Sequence, residues 1–184
     1  MLAAEATLAG MVALPSRTDL AAQIAAVDGD ARQRMSDATT RALYEMAALE
    51  RDADLTERGY ATVRNAHQCY EDGRALSDDE AAWLTILLQH REVRDYAGAR
   101  TSDHPSRLTL WTDITRRAEP RLVAAPASQL AYTAWQHGNG ALALLALDRA
   151  LDADPTYTLA HLIGKALQAS IPPSAISGWP AERS

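Results

Sequence analysis

Arg91, Arg94 and Asp95 lie together in HREVRDYAGAR, residues 90–100, and are the side chains of this chain best suited to holding an anion. A guanidinium presents parallel N–H donors that match a carboxylate or a phosphate, so Arg91 or Arg94, with His90 beside them, can grip an acidic or phosphorylated small ligand. The same residues have a structural reading. Arg91 and Asp95 are four apart and continue the helical face of Leu84 and Leu88, which makes them an ion pair at the edge of a core. Arg94 then points about 100° away around the helix and is the arginine left to a partner.

Trp111 and Trp135 also carry two readings: large aromatics on helices fill cores, and in helical arrays they anchor bound peptides. His137 stands with Asn139 on the rim made by the GNG turn, residues 138–140. A clamp for a peptide carboxylate needs Lys, Arg and Asn projecting from successive first helices, and that set cannot be assembled here. Nor is there a G-x-x-x-x-G-K-[ST] loop, a G-x-G-x-x-G, a G-x-S-x-G elbow or an H-E-x-x-H, which argues against nucleotide chemistry and the common hydrolases. The 5 histidines are scattered singly, and His67 and Cys69 are two apart and so point to different faces of a helix. Asp28 and Asp30 flank Gly29 without the other positions of a calcium loop. No catalytic residue, metal or cofactor is expected.

A net charge of -6 and a pI near 5.3 disfavour nucleic acid and anionic membranes, both of which reward a basic field. Arg116, Arg117 and Arg121 form a small basic knot, read as a solvated helix end beside the last carbonyls. One cysteine, Cys69, cannot make an internal disulfide and suits a reducing compartment. The opening MLAAEATLAGMVAL is too short to span a bilayer and lacks the positive start of a secretory signal, so a cytoplasmic location is expected.

Alanine and leucine dominate, β-branched residues never gather into alternating runs, and the fold class is therefore all-α. Helices are expected over 1–13, from a capping box at Ser16 and Asp19 to Val27, over 31–53 with a stripe of Met35, Ala38, Ala42 and Met46, and over 56–71 ending at Gly73. Ser77 with Glu80 opens a helix expected to run to Arg100 and to be the central, most buried one. Another covers 105–118. The stretch 126–169 then has the punctuation of a tetratricopeptide-type hairpin with one more helix: counting back from Pro155, Leu130, Gly138, Ala143, Leu147 and Ala150 fall where that repeat places its apolar, turn, small, large and small residues. Laying 108–120 over 143–155 pairs Asp113 with Asp148 and Pro120 with Pro155, a weak internal repeat of about 35 residues. The expected organisation is a helical cap over 1–76, tetratricopeptide-like hairpins over 77–170, and a Pro-rich tail over 171–184 that Trp179 pins.

The phrases LAYTAWQHGNGALALLALDRALDADPTYTLAHLIGKALQASIPPS, HREVRDYAGAR and LPSRTDLAAQIAAVDGDAR resemble an actinobacterial family, the domain of unknown function numbered forty-one ninety-two. The likeness covers roughly residues 9–174 and is strongest from Ser77 onward. It implies a helical fold and no particular reaction, substrate or catalytic residue. It further implies that longer members carry an additional N-terminal half, so that this chain corresponds to their C-terminal domain. The expected role is an interaction module whose partner is another protein or that missing N-terminal domain; the alternative is the accessory half of an enzyme, holding an anionic ligand through Arg91 or Arg94.

Overall fold

The computed structural model describes residues 16–49, 55–100 and 104–175. Among them are nine α-helices and no strand: α1 (Arg17–Gln23), α2 (Gly29–Leu49), α3 (Leu55–Glu71), α4 (Asp78–Leu87), α5 (Arg91–Ala99), α6 (Ser106–Arg117), α7 (Ala124–Gln136), α8 (Gly140–Ala153) and α9 (Thr158–Gln168). Short polar signals start and stop them. Ser16 and Asp19 exchange hydrogen bonds ahead of α1, and Ser77 and Glu80 do the same ahead of α4, so both expected capping boxes are present. Gly73 and Gly138 each stand at φ +73°, and the residue after each bonds back over the turn, Arg74 N–H to the Cys69 carbonyl at 2.9 Å and Asn139 N–H to the Ala134 carbonyl at 2.8 Å. This left-handed closure satisfies terminal carbonyls at no Cβ cost because the residue is glycine. Ser170 closes α9 in the same way at φ +52°.

The helices pack around α7, which touches α5, α6, α8 and α9; α2 lies on α4, α3 on α5 and α6, and α1 on α8. One contiguous core runs from Leu20 to Ala166. Its tightest part is α7 against α8, where Ala127, Ala131, Ala134, Ala143, Ala146 and Ala150 have no exposed surface. Leu130 and Leu147 are buried there too, at the positions the repeat spacing marks as large and apolar. Three buried polar residues on α7 each donate to a carbonyl, although Gln129 Oε1 is itself buried without a hydrogen-bond partner. Ser128 Oγ donates to Ala124 O at 2.8 Å, Thr133 Oγ1 to Gln129 O at 2.8 Å, and Gln129 Nε2 to Arg94 O at 2.7 Å.

Three expectations need correction. The helix expected over 78–100 is broken at 88–90, where Gln89 and His90 bond to carbonyls only three residues back before α5 restarts. A straight helix buries one stripe, whereas these residues are apolar on several sides. The break lets α4 face α2 while α5 turns Val93 and Ala97 toward its own neighbours, α3 and α7. The most buried helix is α7, in which every residue from Ala124 to Trp135 is buried. Its small side chains allow neighbours to approach from several directions. The last helix begins at Thr158 and not at Pro155, because Asp154 Oδ1 accepts from the Thr156 N–H at 2.9 Å and hydroxyl at 2.7 Å and holds a turn there. The helix expected over 1–13, the last residues of the one expected over 31–53, and Trp179 lie outside the described residues.

Candidate functional site

The break at 88–90 reorients the arginine cluster. Arg94 is the inward residue, its side chain 19% exposed, and it grips Asp95 Oδ1 with Nε at 3.0 Å and Nη2 at 2.8 Å. Arg91 reaches the other oxygen of Asp95 at 3.4 Å from a side chain that is 75% exposed. The expected Arg91–Asp95 contact exists, but the division of labour is the reverse of the expectation: Arg94 is spent on packing and Arg91 faces solvent. Arg94 also lies 5.9 Å over the Tyr157 ring. Burial disfavours its charge, yet Asp95 and the Tyr157 hydroxyl more than offset this and hold its pKa above the usual arginine range. Since Gln129 bonds to the Arg94 carbonyl, this residue ties α5 to α7 and to the start of α9.

Trp111 has no exposed surface and meets His67 edge to face at a 6.2 Å centroid distance. Trp135 is buried and stands edge-on to Tyr132. Neither can anchor a ligand on the surface. His137 forms the C-terminal cap of α7, half-buried, with Nε2 buried and no hydrogen-bond partner. These residues are dispersed from the Arg91–Arg94–Asp95 cluster by their elements and do not face a shared cavity among the described residues. An open groove of about 310 Å3 lies elsewhere, between α3 and α4, lined by Ala61, Thr62, Asn65, Leu76, Glu80 and Trp83. Its carboxylate is already committed, because Glu80 caps Ser77 and is held below the usual carboxylate range by that backbone and hydroxyl.

Two buried polar networks were not anticipated. Arg107, itself buried, donates to Glu71 at 2.5 Å and to the His67 carbonyl at 3.4 Å. Burial first, then the charges of Arg107 and Arg100, push the His67 imidazole down to about 3, so it is neutral and packs as an aromatic against Trp111. In the second network Asp113 accepts from both the Tyr70 hydroxyl and Arg117, and Arg117 also reaches the carbonyls of Leu76 and Ser77 and the carboxylate of Asp78. Burial and the Asp113 carboxylate raise the Tyr70 pKa, so its hydroxyl stays protonated as a donor. The basic knot is thereby divided: Arg117, 12% exposed, is structural, while Arg116 and Arg121 face outward. The i,i+4 spacing of Asp113 and Arg117 was a visible signal for this network; Arg107 had none.

Among the described residues no group of three His, Cys, Asp or Glu side chains is placed to hold a metal ion, and no helix is long and apolar enough to cross a membrane. The family model described as a domain of unknown function, DUF4192, matches residues 1–174, and the chain belongs to that family. No curated protein and no solved structure matches it.

Proposed function

We propose that the chain is a cytoplasmic helical interaction module that receives an apolar helix from another protein, or from an adjoining domain, on the outer flank of α9. The observation that carries this reading is Leu162, a large apolar side chain left 57% exposed. On α9, Leu159, Ile163 and Ala166 turn inward, and Gly164 faces Leu147 of α8. Leu162 is about 200° around the helix from Gly164, on the side opposite α8. In the tetratricopeptide reading, α7 and α8 form a complete hairpin and α9 is the first helix of the next one, whose second helix a partner supplies. Ile171, just beyond α9, is exposed as well.

The reading is tested by quantitative capture from a host extract with wild type, Leu162→Lys and Tyr44→Lys. Tyr44 is 76% exposed on α2 and is the control apolar surface. Proteins retained by wild type and by Tyr44→Lys but lost with Leu162→Lys are the expected outcome. An identical set on all three baits overturns the proposal. No observation favours an enzymatic role through Arg91 or Arg94, since Asp95 engages both.

A further inference from the structure

The pattern Tyr-x-x-x-Arg occurs on two helices that touch: Tyr60 and Arg64 on α3, and Tyr96 and Arg100 on α5, where Arg100 is the C-terminal cap. Four-residue spacing puts each arginine on the same side of its helix as its tyrosine. The crossing that brings the two helices together depends on Gly59, because a Cβ there would run into the Val93 side chain. Beside this contact the rings of Tyr60 and Tyr96 stack, with centroids 4.0 Å apart and planes 11° from parallel. Both guanidiniums then meet the same ring. Arg64 Nη1 donates to the Tyr96 hydroxyl at 3.0 Å, and the Arg100 guanidinium lies over the Tyr96 face, 3.5 Å from its centroid.

The cluster is rich in donors that nothing among the described residues takes up. Arg64 keeps N–H groups beyond the one given to Tyr96, Arg100 makes no side-chain hydrogen bond, and the Tyr96 hydroxyl, which accepts from Arg64, still has its own proton to donate. No carboxylate among the described residues pairs with either guanidinium. Glu57 and Glu92, about one turn before the two tyrosines on their helices, are exposed and bridge to neither. Two like charges fixed on one ring repel each other, and an anion that engages both removes that repulsion. A monocarboxylate is satisfied by one guanidinium fork, whereas two guanidiniums together with a phenol proton suit a tetrahedral oxyanion carrying close to two negative charges. We infer that Arg64, Tyr96 and Arg100 bind a phosphate group, carried by inorganic phosphate or by a small phosphate monoester. Both arginines are exposed, so the ligand reaches them from solvent. The site depends on neither Leu162 nor the helix proposed to cover it, and the two readings fail separately.

The full chain is titrated by calorimetry, at constant ionic strength, with inorganic phosphate, phenyl phosphate, succinate and acetate. Saturable binding of a phosphate is expected, with a Kd of roughly 1 mM or tighter. Arg64→Gln and Arg100→Gln each remove one charge-assisted contact and are expected to weaken it at least about tenfold. Tyr96→Phe keeps the ring and removes the hydroxyl proton, with an expected weakening of about threefold to tenfold. Arg91→Gln removes an exposed charge from α5 outside the cluster and leaves the affinity unchanged. Phenyl phosphate binding as tightly as inorganic phosphate, or more tightly, assigns an ester; tighter binding of inorganic phosphate assigns the free ion. No saturation, equal or tighter binding of acetate or succinate, undiminished binding in any of the three cluster variants, or a loss in Arg91→Gln equal to that in Arg64→Gln overturns the site.

Discussion

The contact of α7 with α8 and the contact of α3 with α6 are built on opposite principles. In the first, facing alanines with no exposed surface pack alongside the buried Leu130 and Leu147, and the contact is wholly apolar in these side chains. In the second, long charged side chains bridge the gap: Arg107 to Glu71, and Arg117 through Asp113 to Tyr70. A small-residue contact fails when volume is added, whereas a buried polar network fails when one member is removed and its partner is left desolvated.

The sharpest way to break this contrast is Asp113→Ala, which strips the shared acceptor from Arg117 and Tyr70 together and is expected to cost about 3 kcal/mol in denaturant unfolding. A loss below about 1 kcal/mol would mean that the remaining carbonyl acceptors of Arg117 suffice. Ala150→Trp tests the other contact, with an expected loss of about 1–3 kcal/mol from overpacking; an unchanged melting temperature would show that α7 and α8 are not pressed together. Next comes the arginine pair. Arg94→Ala leaves Asp95, 17% exposed, without its closest donor and is expected to cost about 1–2 kcal/mol, while Arg91→Ala stays within about 0.5 kcal/mol. Equal losses would place the two side chains in equivalent surroundings.

The pH dependence of stability probes the polar side again. His67 has a folded pKa of about 3, below its unfolded value of 6.5, so the unfolded chain binds the extra proton between those limits and stability falls as the pH drops through that window. The His67 contribution is expected to be roughly 1 kcal/mol for each pH unit below about 6. His67→Gln should flatten the curve relative to wild type; superimposable pH profiles would show that His67 titrates normally. The smallest effect is a gain. Ser170 occupies a left-handed conformation at φ +52°, and Ser170→Gly is expected to raise stability by about 0.5–1 kcal/mol in the same melts.

Local punctuation was the legible part of this chain. Ser16, Ser77, Gly73 and Gly138 act through hydrogen bonds spanning three to five residues, so their spacing alone announced where helices begin and end. The burial of Leu130, Ala143, Leu147 and Ala150 was equally readable, because all four lie on α7 and α8, the two helices in closest contact. The arginine assignment failed for a nameable reason. Extending the face of Leu84 and Leu88 as far as Arg91 assumes an unbroken helix, and the turn at 88–90 rotates everything that follows, carrying Arg94 inward in place of Arg91. Periodicity has no term for a break that carries neither proline nor glycine. Arg107 and Gln129 were invisible because their acceptors are backbone carbonyls or an acid 35 to 40 residues distant in the chain.

The seat of α1 on α8 has a bearing on how the chain is made. Arg17 and Asp148 are 131 residues apart, yet they meet at 3.0 Å. At a ribosomal rate of about 5–20 residues per second, α1 waits on the order of ten seconds after it emerges before the helix it rests on exists. Throughout that interval Leu20 and Ile24, both buried in the finished fold, have no α8 to cover them. Docking of α1 across this separation is therefore a late event of synthesis, possible only once α8 has been made.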